Sequence, residues 1–195
     1  PCLYSGFCGG CNYQHIDYST QLGFKKDHVR DALQRIGSLS DVLIHDVIPS
    51  ERIFAYRNKM EFSFSDRRYL IPGEITIEKS GYDFGLGLHV PGCFSKVIDV
   101  EDCLLQNETG NRILRAVKDY VGKSGIPVYG LKTHQGFWRF LTLRHSAAHD
   151  EWLVNIVTSQ ERKEAVMPLS ERLNREFGNI RTIVNNITSR PASIS

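Results

Sequence analysis

The chain has 195 residues, of which 41% are apolar and 24% charged, and its formal net charge is +2. That length suits one large domain or two small ones and buries a core without help from disulfides. So small a charge does not by itself announce a nucleic-acid binder; any such surface must come from local clustering. No stretch approaches the roughly 20 apolar residues that span a membrane, and the N-terminus lacks a charged-then-apolar signal segment. The cysteine total of 5 is odd, which argues against a full disulfide framework and for reduced thiols in the cytoplasm. A start on Pro1 beside a cysteine motif and a stop on Ser193-Ile194-Ser195 predict a piece of a longer protein.

Residues 1–16 read as a cysteine-rich loop with little regular structure. Asp17 or Ser19 can cap a helix running to about Ile36, with Gly37 as its stop. Leu22, Val29, Leu33 and Ile36 form its apolar stripe. Val42-Leu43-Ile44 and Val47-Ile48 read as short edge strands. Lys59–Ser65 alternates strictly, placing Met60, Phe62 and Phe64 on one face. Residues 66–81 predict an extended hairpin tip, with small strands at Tyr69-Leu70-Ile71 and Ile75-Thr76-Ile77. Phe84–Val90 and Phe94–Val100 flank a Pro91-Gly92 turn.

A helix is expected from Glu108 to Val121, stopped by Gly122 and Gly125. Phe137–Arg144 and Trp152–Thr158 flank a hairpin turn at Ala147–Asp150. A helix follows at 161–177, which Pro168 either kinks or splits. Ile180–Thr188 is a final strand. The fold class is α+β: antiparallel hairpins in a sheet with about three packed helices and an N-terminal cysteine loop. No βαβ series is expected. The chain divides into a loop at 1–16, an α+β domain at 17–188 and the start of a linker at 189–195.

Cys2-x5-Cys8-x2-Cys11 is the strongest chemical signal, with Gly9-Gly10 giving its tight pair the freedom to fold round an ion or cluster. Cys103, far along the chain, can complete a set of four thiolates. Zinc takes four thiolates as well, so spacing alone leaves iron–sulfur, zinc and unliganded thiols open. Cys93 reads as an ordinary small residue at the turn. Tyr56-Arg57-Asn58-Lys59 joins an aromatic ring to cations and an amide, a set suited to phosphate contact and base stacking. A solvated strand end explains it equally well. Arg139 and Arg144 can extend that basic surface, while Trp138 reads as core. Gly122-Lys123-Ser124 fails as a phosphate loop because Val117 stands where glycine is needed. Gly85-Leu86-Gly87 lacks a third glycine and a following helix.

At Cys2-x5-Cys8-Gly9-Gly10-Cys11-x2-Gln14-His15 the chain resembles the cluster motif of the RNA uracil-5-methyltransferase family, 23S ribosomal RNA type. Tyr18-x2-Gln21-Leu22-x2-Lys25, Tyr56–Phe62 and Asp99-x3-Cys103 continue the likeness in order. The resemblance implies a 4Fe-4S cluster on Cys2, Cys8, Cys11 and Cys103. Arg57, Asn58, Lys59, Arg139 and Arg144 are the candidate RNA contacts on residue chemistry alone. For the longer parent the resemblance implies S-adenosylmethionine and thiolate attack on uracil C6, with methyl transfer to C5 and then proton removal and elimination. The catalytic residues are expected beyond Ser195, so the fragment alone is expected to be inactive. The implied partner is structured RNA, 23S ribosomal or transfer RNA, with no obligate protein partner. The alternatives are a free-standing zinc or iron–sulfur module and an electron-transfer protein.

Overall fold

The computed structural model describes residues 2–74 and 82–191. The strict alternation of Lys59–Ser65 becomes strand β1, with Met60, Phe62 and Phe64 buried. The other strands are β2 Arg68–Tyr69, β3 Gly85–Val90, β4 Cys93–Asp99, β5 Trp138–Ser146, β6 Glu151–Thr158 and β7 Ile180–Ile187. They form one sheet in the order β2-β4-β3-β1-β5-β6-β7. The helices are α1 Tyr18–Asp31, α2 Glu108–Ser124 and α3 Lys163–Glu176.

The two expected hairpins form, β3–β4 and β5–β6, both antiparallel. The sheet is nonetheless mixed. β2 runs parallel to β4, and β6 runs parallel to β7. The last pair adds a single βαβ unit, made by β6, α3 and β7, which is not the series a doubly wound sheet needs. Its signal was hidden by the hairpin just before it, which made the final strand look like one more antiparallel return.

Register explains the core. Phe62 pairs with Leu141, which pairs with Ile156; Met60 pairs with Leu143, which pairs with Val154. One face of the sheet therefore carries stacked rows of apolar side chains. α2 covers them with Ile113, Leu114, Val117 and Val121, and α3 with Ala165, Val166, Leu169 and Leu173. Each large side chain so buried contributes roughly 2 kcal/mol from area removed from water. Trp138 is in this core, as expected.

Helix boundaries follow local chemistry. Asn107 caps α2 by accepting from the Gly110 N–H at 3.0 Å. α2 runs through Gly122, which lies against the Tyr82 ring, and ends at Gly125 with φ +66°. α3 continues through Pro168 as one helix. Asp17 caps α1 by accepting from the Thr20 N–H at 3.0 Å and from two hydroxyls, which hold its carboxyl down at about 2. α1 then passes into a π-helical turn at Ala32–Ile36.

Three expectations on the N-terminal half are not met. The stripe Leu22, Val29, Leu33 and Ile36 does not pack into the core, since α1 and the π turn bury no residue. Val42–Ile44 and Val47–Ile48 form no strand. β2 covers Arg68–Tyr69 rather than Tyr69–Ile71. The strand expected at Ile75–Ile77 lies outside the described residues. Among the described residues, no helix is long and apolar enough to cross a membrane.

Candidate functional site

Two places collect the residues singled out by the sequence. The first is a pocket at one end of the sheet. It is lined by Cys2, Cys8, Cys11 and Cys103, together with Tyr4, Gln14, Leu88, Val100 and Leu105. Residues far apart in sequence thus meet at one point, and the local reasons can be read off. The Gly9 N–H donates to His89 O at 2.9 Å, which docks the cysteine loop on β3. The Glu101 N–H donates to the half-buried Tyr4 hydroxyl at 3.1 Å. That burial pushes the Tyr4 phenol up to about 12. On the other side, Asn111 of α2 accepts from the Cys103 N–H at 2.9 Å.

Gly9 and Gly10 serve a different purpose from the one expected. Neither has a positive φ. A Cβ on Gly9 would stand 2.8 Å from His89 O, and one on Gly10 2.9 Å from Leu88 Cδ1. They are needed for close approach to β3, not for turn geometry.

The sulfur atoms have donors aimed at them. The Gly10 N–H reaches Cys8 Sγ at 3.3 Å, and Gln14 Nε2 reaches Cys11 Sγ at 4.0 Å. Gln14 also accepts from the Cys2 N–H at 2.6 Å, so one amide joins both ends of the loop. Burial, with the neighbouring thiols adding to it, pushes Cys8, Cys11 and Cys103 above the ordinary thiol value. Cys93 opens β4 beside the turn, and its bond to Ser95 pulls its thiol down. Among the described residues, no three of His, Cys, Asp or Glu gather closely enough to hold a single metal ion.

Arg57 belongs to this place as much as to any RNA surface. Its Nη2 donates to Gly10 O at 3.3 Å, and its backbone N–H donates to Leu105 O at 2.8 Å. Its charge lowers the thiols of Cys11 and Cys103 against the larger effect of burial. Arg57→Ala is therefore expected to raise both thiols further and to slow their alkylation in metal-free protein at pH 8 by severalfold. Cys93 should react first in both proteins, since thiolate is the reactive form. Mass spectrometry of a timed iodoacetamide reaction checks this; equal rates for Cys11 in the two proteins would refute it.

The second place is the sheet face turned away from α2 and α3. β1, β5, β6 and β7 line a cleft of about 260 Å³ there with Lys59, Glu61, Thr142, Arg144, Leu153, Asn155, Val184 and Asn186. Lys59 and Arg144 are direct cross-strand partners, which the sequence could not show. Lys59 also pairs with Glu61 at 2.5 Å. Asn58 is exposed, and its carbonyl accepts from the His145 N–H at 2.8 Å. Arg139 corrects the expected basic surface. It is only 1% exposed, its guanidinium lies 4.2 Å from the Tyr129 ring centre, and Nη1 donates to Thr188 O at 2.6 Å. A bulge at Trp138/Phe140 interrupts the regular alternation of β5 at this residue.

No model of a known protein family matches the chain. Over its whole length it is 38% identical to an uncharacterized RNA methyltransferase of Chlorobaculum tepidum, of which it covers 41%. It is 34% identical over 192 residues to one of Bacteroides thetaiotaomicron, covering 95% of this chain and 42% of that protein. Among solved structures it resembles the Pyrococcus abyssi tRNA (uracil-54, C5)-methyltransferase in complex with S-adenosyl-L-homocysteine. That match has a TM-score of 0.59 and 25% identity, over 83% of this chain and 34% of the other. The homologues are thus named RNA methyltransferases, and the chain spans about two fifths of the length of those curated relatives.

Proposed function

We propose that the chain is the cluster-bearing and RNA-recognition region of an S-adenosylmethionine-dependent RNA (uracil-C5) methyltransferase. The observation that carries the reading is the full-length alignment of this chain with an RNA methyltransferase. The fold likeness to a tRNA uracil-5 methyltransferase supports C5 of uracil as the methylated position. No residue of this chain is assigned to S-adenosylmethionine or to the chemical step.

Four thiols line one pocket, a donor set open to a 4Fe-4S cluster or to zinc. The resemblance of the cysteine motif favours the cluster. Cys2, Cys8, Cys11 and Cys103 would hold it. Bound there, the cluster supplies a cross-link between the N-terminal loop and the end of β4. Gly10 N–H, Gln14 and Arg57 offset thiolate charge, and Leu88, Val100 and Leu105 exclude water. The role is structural and involves no redox turnover.

The open sheet face is the proposed RNA contact. Lys59 and Arg144 supply charge, while Asn58, Asn155 and Asn186 offer amides for sugar or base edges. The Lys59→Ala, Arg144→Ala double variant should bind RNA more weakly in the parent protein. The slope of log affinity against log salt should shrink by about 2, one for each lost phosphate contact. An unchanged slope removes this face from the binding surface.

Methyl transfer from labelled S-adenosylmethionine to RNA by the parent protein tests the reaction, with the product nucleoside read by mass spectrometry. Product other than 5-methyluridine overturns the C5 reading. The cysteine motif points to 23S ribosomal RNA and the solved neighbour to transfer RNA. Running both as substrates separates them.

A further inference from the structure

The four thiols of the pocket are held by different means. Cys2, Cys8 and Cys11 arrive on a loop and are half-buried, whereas Cys103 is buried at the edge of the core. One amide grips its backbone at two points. Asn111 Oδ1 accepts from the Cys103 N–H at 2.9 Å, and Asn111 Nδ2 donates to Cys103 O at 3.4 Å. The peptide groups on either side of Cys103 are thereby fixed, and with them the direction of its Cα–Cβ bond.

The grip is itself held. Gln106 Nε2 donates to Asn111 Oδ1 at 2.7 Å, which keeps that oxygen turned toward the Cys103 N–H. The Gln106 N–H donates to Cys103 O at 3.3 Å. Asn111 is 5% exposed and Gln106 3%. Two amides buried among apolar side chains call for a reason, because burial strips the water each would otherwise bind. Gln106 Oε1 has no partner among the described residues. The first turn of α2 leaves room for this pair. A Cβ on Gly110 would stand 2.7 Å from Gln106 Oε1 and 2.9 Å from Trp152 Cη2. Glycine is unfavourable in a helix, so close approach explains it there. Ile113 and Leu114, just beyond Asn111, lock α2 into the core.

We propose that Asn111 is a positioning residue for the ligand Cys103, and that Gln106 orients its amide. The pair ties the thiol to α2 and the core, with or without metal, so that the sulfur meets the pocket in one direction. Only an amide serves at position 111. A carboxylate accepts from the Cys103 N–H but cannot donate to its carbonyl, and it sets a charge behind a thiolate. Leucine fills the space and does neither. The proposal rests on the reading of Cys2, Cys8, Cys11 and Cys103 as a cluster site.

Release of iron to a chelator from the anaerobically prepared parent protein tests it. Asn111→Leu should quicken release by roughly tenfold or more, the usual scale for a lost partner of a metal ligand. Asn111→Asp keeps the acceptor and should fall between that variant and wild type. Gly110→Ala should quicken release by displacing Gln106 alone. Leu173→Ala, in the core beneath α3 and away from the pocket, is the control for general loss of stability. Compared at equal distance below each Tm, it should release iron at the wild-type rate. In metal-free parent the Cys103 backbone N–H should exchange with deuterium severalfold faster in the Asn111→Leu variant. Wild-type release in Asn111→Leu overturns the proposal. Release that quickens equally in Leu173→Ala overturns it too, as general loosening. If Asn111→Leu does not fold, Asn111→Asp and Gly110→Ala carry the comparison. A wild-type parent that holds zinc or no metal sinks the cluster reading, and the exchange of the Cys103 N–H then decides alone: faster exchange in the variants keeps the positioning role, and equal exchange overturns it. A wild-type cluster that the variants hold as firmly leaves the cluster reading standing and ends the role of Asn111.

Discussion

Cys103→Ser is expected to remove the visible absorption of anaerobically prepared protein and most of its iron, and to lower Tm by roughly 10 °C. A cluster joining Cys8 and Cys11 to Cys103 closes a loop of roughly 90 residues, and constraining so long a loop in the unfolded chain is worth about 4 kcal/mol. In a chain of this size each kcal/mol moves Tm by about 2–4 °C. Serine keeps the shape of the side chain, and the backbone bond from Cys103 N–H to Asn111 does not depend on sulfur. The same substitution in metal-free protein should therefore shift Tm by less than about 3 °C. That difference between loaded and metal-free protein is the readout. An equal loss in both would mean that Cys103 acts only as a packed side chain, and full iron content in the variant would end its assignment as a ligand.

The metal-free pocket also has a pH dependence of known sign. Cys8, Cys11 and Cys103 are raised in the folded state above their ordinary value of 9.0. Their neutral forms are preferred there, so no stability is lost below that value. As pH rises from about 9, the unfolded chain ionises first and the folded state loses ground. Binding an iron–sulfur cluster reverses the preference, because the ligating form is the thiolate.

Local pattern carried much of the fold. The alternation of Lys59–Ser65, the Pro91-Gly92 turn and the helical spacing of Ile113, Leu114 and Val117 each depend on neighbours in sequence, and each survives in the structure. What failed depended on distant partners. The parallel pairing of β6 with β7 depends on where α3 crosses. The stripe on α1 has the helical period but nothing to pack against. The four cysteines could be named from their spacing and their resemblance, and they do line one pocket. Gln14 and Asn111 could not be given their roles, because an amide beside a thiol leaves no periodic mark. Arg57 reads by charge as an RNA contact, and the sequence does not show that its guanidinium also reaches the carbonyl of Gly10. Arg139 is buried because the Tyr129 ring and the Thr188 carbonyl receive its guanidinium, and both partners are remote from it in sequence.

Gly87→Ala is expected to destabilise the fold by about 3 kcal/mol, the upper range for forcing atoms into a filled interior. Gly87 sits in β3, opposite Ser63 of β1 and Asp99 of β4. A Cβ there would stand 2.0 Å from Ile98 O and 2.9 Å from Val100 Cγ2. The first of these is backbone, so no rotamer change relieves it, and β4 must move away from β3. Val100 and Leu88 both line the cysteine pocket, and Cys103 lies three residues after Val100 along the chain. The strain should therefore reach the site: iron retention should fall along with Tm, by roughly 6–12 °C for a chain of this length. Gly23→Ala in α1 is the control. Nothing lies within 4 Å of a Cβ at Gly23, and alanine in an exposed helix interior adds about 0.5–1 kcal/mol. Opposite signs from two glycine-to-alanine changes would show that steric room between β3 and β4, and not glycine's entropy, makes Gly87 necessary. If Gly87→Ala melts at the wild-type temperature with its iron intact, β3 and β4 do not approach as closely as this packing requires.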